Sequence, residues 1–474
     1  MINDKYPIWT MQVHRLGRSA RRDGDRRGCA GQEGRSIAVR RCAVALVAAV
    51  SVLAAACSTT SDPPKAVTSV PAKAASPAEV IGTGCTLPPG QNCYSLQAFR
   101  NAYGISPLLA RGIDGRGRTV VLVEWLASGA PPISDFPPSN IFQDVSAFDS
   151  YFHLPSIKLT VVRRTAPKAS ADLALGEEVE DVEMVHAVAP GAAIRVVLAG
   201  SRTYSASAAV SDLRDVVSAS RGADVVSMSG GAWEDCFTPA QLAEAHSLVS
   251  QLVGRHVTFT ASSGDSGAAD VGCSAPWKPV ANRGVQYPAS DPLVLAVGGT
   301  TLVANPTTGS YISEMAWNSP NHGSSGGGFS GVFARPSYQD GVRGIGAHRG
   351  VPDVAADAGD STGLALINEL PSGYVMGTAA GTSGGAPFWA GLVALADQYA
   401  GRDLGSVDPA IYRIAQAASY HAAFHDVVKG DNTVVVEGET LEGYQAGPGW
   451  SPVTGWGTPI ASVLVPLLAR YDRS

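Results

Sequence analysis

A turn of small residues at positions 381–385, Gly-Thr-Ser-Gly-Gly, is followed by Pro387 and by an apolar run that ends at Ala400. This pattern is typical of a loop or strand that leads into a buried helix. We expect Ser383 just ahead of the helix N-terminus, where free backbone N–H groups and the positive end of the helix dipole favour a developing oxyanion. The position suits a nucleophile, but a serine that only caps the helix would have the same sequence.

Two carboxyl side chains, Glu177 and Asp181, are four residues apart in a segment with helical spacing, so they share one face. Like charges at this spacing destabilise an isolated helix, and a solvated acidic face is one interpretation. The other is a hydrogen-bonded pair that shares a proton, one carboxyl acting as a general base and the other orienting it. A third carboxyl, Asp265, lies in the glycine turn 261–267, either as a turn former or as a group that points into a site.

The elements that must position these side chains alternate between short β-branched strands and longer amphipathic helices. This alternation predicts an α/β fold with a mostly parallel central sheet and helices on both faces, and catalytic groups gather at the carboxyl ends of such strands. The predicted strands are 119–123, 194–198, 224–228, 257–261 and 293–297, and the predicted helices are 173–188, 206–220 and 239–253.

The composition is that of a folded, exported protein. With 474 residues, 45% hydrophobic and 16% charged, the chain can bury a large core. Its formal charge is −6, but residues 1–57 carry ten Lys/Arg and four Asp/Glu, which leaves the rest near −12. An acidic body without a basic face argues against nucleic acid as a partner.

The N-terminal region is predicted to be a targeting segment. Residues 43–56 form an apolar run too short to span a bilayer comfortably and follow Arg40-Arg41, as expected of a signal peptide over 1–57. Leu53-Ala54-Ala55-Ala56-Cys57 resembles a lipobox, so Cys57 is expected to carry a lipid anchor on the outer face of the membrane; a secreted protein is the alternative. Residues 58–84 are predicted to be a flexible tether.

Four cysteines lie after Cys57, an even number that suggests two disulfides in an exported body. Proximity in sequence favours Cys85 with Cys93 and Cys236 with Cys273, although the sequence also allows other pairings.

Taken together, these motifs resemble those of the sedolisins, serine-carboxyl peptidases with a subtilisin-like fold. The resemblance runs from about Cys93 to the C-terminus, so residues 85–474 are identified as a sedolisin-like peptidase domain. It also includes Val225–Gly231, Val297–Thr300, Gly326–Ser330, Arg349–Val354 and Thr454–Pro459.

The resemblance implies roles for the four side chains. Ser383 would be the nucleophile, Glu177 its general base, Asp181 the carboxyl that orients Glu177, and Asp265 the donor in the oxyanion hole. A glutamate acts as a base where a histidine is already protonated, and Asp265 donates only while it holds its proton. The implied activity is endopeptidase action at acidic pH on peptides or unfolded proteins, by a protein expected to be a monomer. A peptide-binding surface lipoprotein with the same fold and no turnover is the alternative.

Two other hydrolase mechanisms fit the residues less well. A Ser-His-Asp triad lacks its histidine, because the nearest match, His322-Gly323-Ser324, has no helical pattern behind it. Gly381–Gly385 also satisfies the nucleophile elbow of α/β-hydrolases, with Asp426 and His421 or His425 as partners. The residues before it, 376–380, are a poor strand, although the elbow needs an apolar one.

The resemblance further implies one calcium ion near the C-terminus. Its ligands would be the Asp426 carboxylate and the carbonyls of Val427, Gly447 and Gly449, whereas the family's second aspartate is replaced by Ser451. Losing a carboxylate weakens a calcium site, so occupancy is expected to be weak unless Asp431 or Glu442 compensates. The family's long prodomain is not expected, since only about 35 residues separate Cys57 from the resemblance.

Overall fold

A computed structural model describes residues 66–67, 80–81, 93–125, 139–163, 173–174, 176–199, 205–273, 275–319, 322–360, 362–370 and 373–471. The predicted signal peptide, Cys57 and Cys85 lie outside the described residues. So does the predicted tether, apart from two short strands at Ala66–Val67 and Val80–Ile81.

A sheet of nine strands, counted over the described residues, forms the centre of the fold. In chain order these are β1 (Ala66–Val67), β2 (Thr119–Trp125), β3 (Lys158–Arg163), β4 (Ala193–Ala199), β5 (Val225–Met228), β6 (Thr258–Ser262), β7 (Leu295–Ala304), β8 (Tyr311–Ala316) and β9 (Val354–Asp357). Their order across the sheet is β1-β3-β4-β2-β5-β6-β7-β8, and β9 pairs with β7. Neighbours are parallel except for β1 with β3 and β7 with β8.

Helices cover both faces of this sheet. They are α1 (Leu96–Ala102), α2 (Ser106–Leu109), α3 (Ile141–Phe152), α4 (Gly176–Val188), α5 (Ala206–Ala219), α6 (Pro239–Val253), α7 (Gly381–Ala400), α8 (Asp408–Ala415), α9 (Tyr420–Ala423) and α10 (Ala461–Arg470). Short 3-10 turns lie at Glu234–Cys236 and Ser337–Gln339. None of the described helices is long and apolar enough to cross a membrane.

Alternation along the strands explains the two faces. On β2, Val120 and Leu122 pack into the core that contains α4, α7 and α10. Val121 and Val123 point the other way, into the core under α5 and α6. Because successive side chains of a strand face opposite sides, a strand covered on both faces must be apolar throughout. The predicted mostly parallel, subtilisin-like α/β fold is confirmed.

Smaller strands connect these elements: Val80–Ile81, Ser139–Asn140, Leu173–Ala174, Ala232–Trp233, Ala269–Gly272, Ala275–Arg283, Gln286–Tyr287, Asn318–Ser319, Gly323–Ser324, Gly328–Ala334, His348–Val351, Ala365–Leu370, Gly373–Thr378, Phe424–His425, Val434–Val436, Glu439–Leu441 and Thr458–Pro459. The predicted helix 173–188 begins only at Gly176, because its first two residues pair as a strand with residues 139–140. Helix α6 has the predicted bounds, since a capping box between Thr238 and Gln241 fixes its start.

The predicted disulfide between Cys236 and Cys273 is present. Cys93 is also in a disulfide. Its predicted partner, Cys85, lies outside the described residues, so that pairing stays a prediction.

A buried ion pair stabilises the segment that enters β9. Both guanidinium Nη atoms of Arg349 contact the Asp353 carboxylate, at 2.6 and 2.5 Å, and neither side chain is exposed. Asp353 also accepts from the Ala296 N–H at 2.8 Å and the Tyr412 hydroxyl at 2.8 Å. The carboxylate is therefore fully surrounded by donors, and removing one charge would leave the other buried without compensation.

We expect Arg349→Met to lower the free energy of unfolding by about 3–5 kcal/mol, because it strands the Asp353 carboxylate. The matched control is Arg214→Met, which breaks the exposed pair of Arg214 with Glu244 and should cost less than about 1 kcal/mol. Urea denaturation of both variants checks this; equal losses would contradict it.

Candidate active site

Ser383 is the third residue of α7, so it lies within the first helical turn and not ahead of it as predicted. Its N–H is one of the first-turn groups that lack an intrahelical acceptor. The preceding Gly381 has φ +75°, a left-handed conformation that favours glycine, which explains the small residues of this turn. The hydroxyl is nearly buried, at 8% exposure of the residue.

Helix α4 is acidic and buried, so the interpretation of a solvated acidic face is wrong. Residues 178–188 of α4 are all buried, because the helix packs against α7, α3, the strand Ala365–Leu370 and the main sheet. The carboxyls can be there because burial disfavours their charged form and keeps them protonated at acidic pH. His186, on the same helix, is structural: its Nε2 lies 2.8 Å from Asp149 Oδ1 and 3.1 Å from the Pro155 carbonyl.

The helix brings both predicted carboxyls to the nucleophile turn. The Ser383 side chain lies close enough to the Glu177 carboxyl to lower its pKa. Glu177 Oε1 is buried without a hydrogen-bond partner among the described residues, so one oxygen is free to take a proton. Asp181 Oδ2 lies 2.7 Å from Ser229 Oγ, which is also 3.1 Å from the Ser383 carbonyl oxygen. Ser229 thus joins Asp181 to the backbone of Ser383, the predicted nucleophile.

A further carboxyl, Glu124 of β2, hydrogen-bonds to Asp181. A carboxylate has no donor, so this bond requires a proton on one of the two groups. Neither Glu124 nor Ser229 was singled out in the sequence. Both lie at carboxyl ends of neighbouring parallel strands, β2 and β5, and that position is the pattern that could have identified them.

Asp265 follows β6 and lies against the start of α7. Its Oδ1 accepts from the Thr382 N–H at 2.8 Å and from the Thr382 hydroxyl at 2.7 Å. The same hydroxyl accepts from the Gly264 N–H at 3.1 Å. Two donors on Oδ1 fix the carboxyl next to Ser383 and leave Oδ2 available for a proton.

Burial raises the pKa of every carboxyl in this cluster. It is the main cause for Glu177, whose pKa is raised further by the Asp181 charge and lowered by the nearby Ser383 side chain. Burial also raises the pKa of Asp181 to about 7, against the bonds from Ser229 and Glu124. For Asp265, burial raises the pKa and the two Thr382 bonds oppose it. The site therefore keeps protons at a pH where exposed carboxyls have lost them.

The raised pKa values predict that stability falls as pH rises. The folded state binds these protons more tightly than the unfolded state, so the stabilisation is complete below pH about 4 and is lost as pH passes the raised values. We expect Tm to be about 5 °C lower at pH 7.5 than at pH 4.5. Asp340→Asn, which removes a carboxyl that is 61% exposed, should leave this pH dependence unchanged. A Tm that rises over this range would contradict the account.

The alternative hydrolase mechanisms lack their contacts. Among the described residues no histidine hydrogen-bonds to Ser383, and His322 lies 3.7 Å from Asp360 instead. His425 stacks on Tyr311, and Asp426 Oδ1 accepts from the Tyr420 hydroxyl. The strand before the nucleophile turn, Gly373–Thr378, belongs to a separate small sheet and not to the main parallel sheet that an α/β-hydrolase elbow needs.

The predicted calcium ligands do not make a tight site. Asp426 Oδ1 is already engaged by Tyr420 at 2.9 Å and by the Gly449 N–H at 3.0 Å. Ser451 Oγ lies 3.0 Å from Thr454 Oγ1, and Asp431 Oδ1 accepts from the Thr433 N–H. One carboxylate and three carbonyls fall short of six to eight oxygens. No group of three or more His, Cys, Asp or Glu in the described part of the chain could hold a metal ion.

Comparisons with known proteins agree with this geometry. The subtilase family model matches residues 169–457. Kumamolisin from Bacillus sp. (strain MN-32) is 32% identical over 372 residues, which cover 75% of this chain and 61% of kumamolisin. Sedolisin from Pseudomonas sp. (strain 101) is 33% identical over 259 residues, covering 53% of this chain and 41% of sedolisin. Human tripeptidyl-peptidase 1 is 33% identical over 263 residues, covering 50% of this chain and 41% of that protein.

A solved structure of Pseudomonas sedolisin, a serine-carboxyl proteinase in complex with pseudo-iodotyrostatin, superposes with a TM-score of 0.65 and 26% identity, covering 79% of this chain and 98% of that one. The chain spans about three fifths of the length of kumamolisin and two fifths of the other two relatives. A matching family model over most of the folded body, the sequence relatives and the shared fold lead to one conclusion: the chain belongs to the subtilase family and, within it, to the sedolisins.

Proposed function

We propose that this protein is a serine-carboxyl endopeptidase that hydrolyses peptide bonds at acidic pH. The observation that carries the proposal is the approach of Ser383 to a partly buried glutamate, Glu177, in a cluster without a histidine partner for the serine among the described residues. A buried carboxyl next to a hydroxyl at a helix N-terminus is an arrangement for nucleophilic catalysis.

In the proposed reaction, Ser383 Oγ attacks the scissile carbonyl carbon while Glu177 takes the hydroxyl proton. The carbonyl oxygen becomes an oxyanion that accepts from the protonated Asp265 carboxyl and the Ser383 N–H. Collapse breaks the C–N bond, and Glu177 returns its proton to the leaving amine. Water then attacks the acyl-enzyme with the same residues in the same roles, which frees the new carboxylic acid and Ser383.

Asp181 has a supporting part in this mechanism. It lies one helical turn from Glu177 on the same face of α4, and it shares a proton with Glu124. Burial raises the pKa of Asp181 to about 7, so Asp181 is uncharged at acidic pH and adds no negative charge that would oppose the ionisation of Glu177. This charge state requires acidic pH, and so does the proton on Asp265.

The substrate class follows from the relatives. Peptides and unfolded proteins are proposed because the relatives are a proteinase and a tripeptidyl-peptidase by name. Export as a lipoprotein anchored at Cys57, or secretion, is proposed from residues 1–57 alone. Calcium binding stays a prediction of the family resemblance, and no step of the reaction is assigned to it.

The proposal is tested with a quenched-fluorescent peptide library incubated with the purified exported body, residues 58–474, from pH 3 to 8. We expect cleavage that is strongest at acidic pH and falls as the carboxyls ionise. Binding of the same peptides without cleavage at any pH, seen by fluorescence anisotropy, would favour the peptide-binding alternative. Cleavage with a neutral or alkaline optimum would overturn the assigned roles.

A further inference from the structure

Glu180 is a buried carboxyl beside the site that the reaction above does not use. It precedes Asp181 on α4, is 4% exposed and faces the start of α7. Its Oε1 accepts a hydrogen bond from the Ala380 N–H at 3.1 Å. Burying a carboxyl costs free energy, so a position this close to the nucleophile calls for an explanation.

The bond to Ala380 is made where α7 lacks a cap of its own. Ala380 is the N-cap residue, with extended backbone and a methyl side chain that cannot accept from the first-turn N–H groups. Capping is ordinarily done by a serine, threonine, asparagine or aspartate of the same helix. Here an acceptor for the backbone at this helix start comes from the neighbouring helix.

The same carboxyl also lies close to the chain on the other side of Ser383. A Cβ built on Gly384 would lie only 2.8 Å from Glu180 Oε1. The oxygen that accepts from Ala380, three residues before Ser383, thus leaves no room for a side chain at the residue directly after it. This close approach explains a glycine at position 384.

The groups that act on Glu180 are acidic. After burial, the carboxylates of Glu177, Asp181 and Asp265 contribute most to its raised pKa, while the Ala380 bond lowers it. Other elements packed on α4 also carry acids, but these act on different partners: Glu124 of β2 on Asp181, and Asp144 and Asp149 of α3 on Glu183. The first turn of α7 has no acidic residue.

We propose that Glu180 is a positioning residue that holds the Ser383 turn through Ala380 and, by ionising, sets the upper pH limit of peptide hydrolysis. The inference rests on the proposed function. While neutral, the carboxyl accepts from Ala380 and adds no charge. Once ionised, it places a second negative charge beside Glu177 and beside the oxyanion that forms at Ser383, and like charges in a buried site repel strongly.

Two variants separate the two parts of this role. Glu180→Gln keeps the carbonyl acceptor and the volume but cannot ionise, so kcat/KM at acidic pH should stay within about 3-fold of the wild type, and the alkaline limb of its pH profile should move up by about one pH unit. Glu180→Leu leaves the Ala380 N–H unpaired and should lower kcat by about 10-fold across the profile. If activity is kept with glutamine but lost with leucine, Glu180 acts through its hydrogen bond to Ala380 and not only by filling space.

The matched control is Glu183→Gln, one turn further along α4. Glu183 is also buried, with a raised pKa caused mainly by burial, but its Oε2 accepts from the Ile367 N–H at 2.9 Å, away from the nucleophile turn. Between pH 4.5 and 7.5 we expect the Tm of this variant, like that of Glu180→Gln, to fall by less than the Tm of the wild type. Its pH profile of kcat/KM should stay that of the wild type.

An alkaline limb that stays in place in Glu180→Gln, or that moves equally in Glu183→Gln, would overturn the proposal. Wild-type kcat in Glu180→Leu would overturn its positioning part. If the wild type cleaves no peptide at any pH, the proposed function fails, and the melting curves still decide on Glu180. If the Tm of Glu180→Gln falls by less than that of the wild type between pH 4.5 and 7.5, Glu180 ionises over this range. If the Tm values of the two proteins change equally with pH, it does not.

Discussion

Ser383→Ala is expected to lower kcat for peptide hydrolysis by about 10⁴-fold or more, with little change in KM. In the proposed mechanism this hydroxyl forms the covalent acyl-enzyme. The other hydroxyl of the first turn of α7, that of Thr382, is engaged with Asp265 Oδ1, so it offers no free replacement. The loss of one small polar group should leave folding intact, which far-UV circular dichroism and Tm check alongside the kinetics.

The matched control is Ser218→Ala. Ser218 lies on α5, on the opposite face of the sheet, and its exposed hydroxyl donates to the Asp215 carbonyl at 3.0 Å. Its kcat and KM should equal those of the wild type. Residual hydrolysis above about 1% in Ser383→Ala would point to a nucleophile other than Ser383.

Asp265→Ala is expected to lower kcat by about 10²–10³-fold, the usual effect of removing one oxyanion-hole donor. Asp265→Asn should lose far less at acidic pH, because an amide donates to an oxyanion and its oxygen can still accept from Thr382. An amide does not titrate, so the activity of Asp265→Asn relative to the wild type should increase as pH rises through the raised pKa of Asp265.

This second prediction has its own internal check. If Asp265 served only to hold Thr382 through the bonds to Oδ1, the kcat values of Asp265→Asn and Asp265→Ala would differ by the same factor at every pH. Equal pH profiles for Asp265→Asn and the wild type would therefore assign Asp265 a structural role and remove it from the oxyanion hole.

Much of the fold follows from periodicity in the sequence. Strands covered on both faces have continuous apolar stretches, Val120–Val123 in β2 and Val196–Ala199 in β4, and they alternate with helices of 3.6-residue spacing. The turns that carry Ser383 and Asp265 were also predictable, since both are rich in glycine. The turn with Asp265 follows the carboxyl end of a strand, and the turn with Ser383 lies at the start of a helix.

The burial of α4 could not be predicted from its sequence. A run with Glu177, Glu178, Glu180, Asp181 and Glu183 favours a solvated helix as long as each carboxyl is counted as charged. In the fold the helix packs against α7, α3 and the strand Ala365–Leu370, and burial raises the pKa of Glu177, Glu180 and Glu183. Which helices pack together depends on the order of the strands in the sheet. The periodicity of the sequence does not give that order.

The same limit explains the two residues that were missed. Glu124 and Ser229 are about 100 positions apart in the chain, and they meet Asp181 only because β2 and β5 are neighbours in the sheet. A local pattern identifies a residue type at a strand end. It does not identify which strand ends share an edge of the site.

The central claim, that Ser383 is a nucleophile activated by carboxyls at acidic pH, is tested most directly by trapping the acyl-enzyme. Wild-type protein is mixed with a peptide ester at pH 4, quenched in acid within milliseconds, digested and mapped by mass spectrometry. The account predicts an acyl adduct on the peptide that contains Ser383, absent in Ser383→Ala and formed much more slowly in Glu177→Gln. Turnover of the ester with no adduct on Ser383, or with an adduct on another residue, would contradict it.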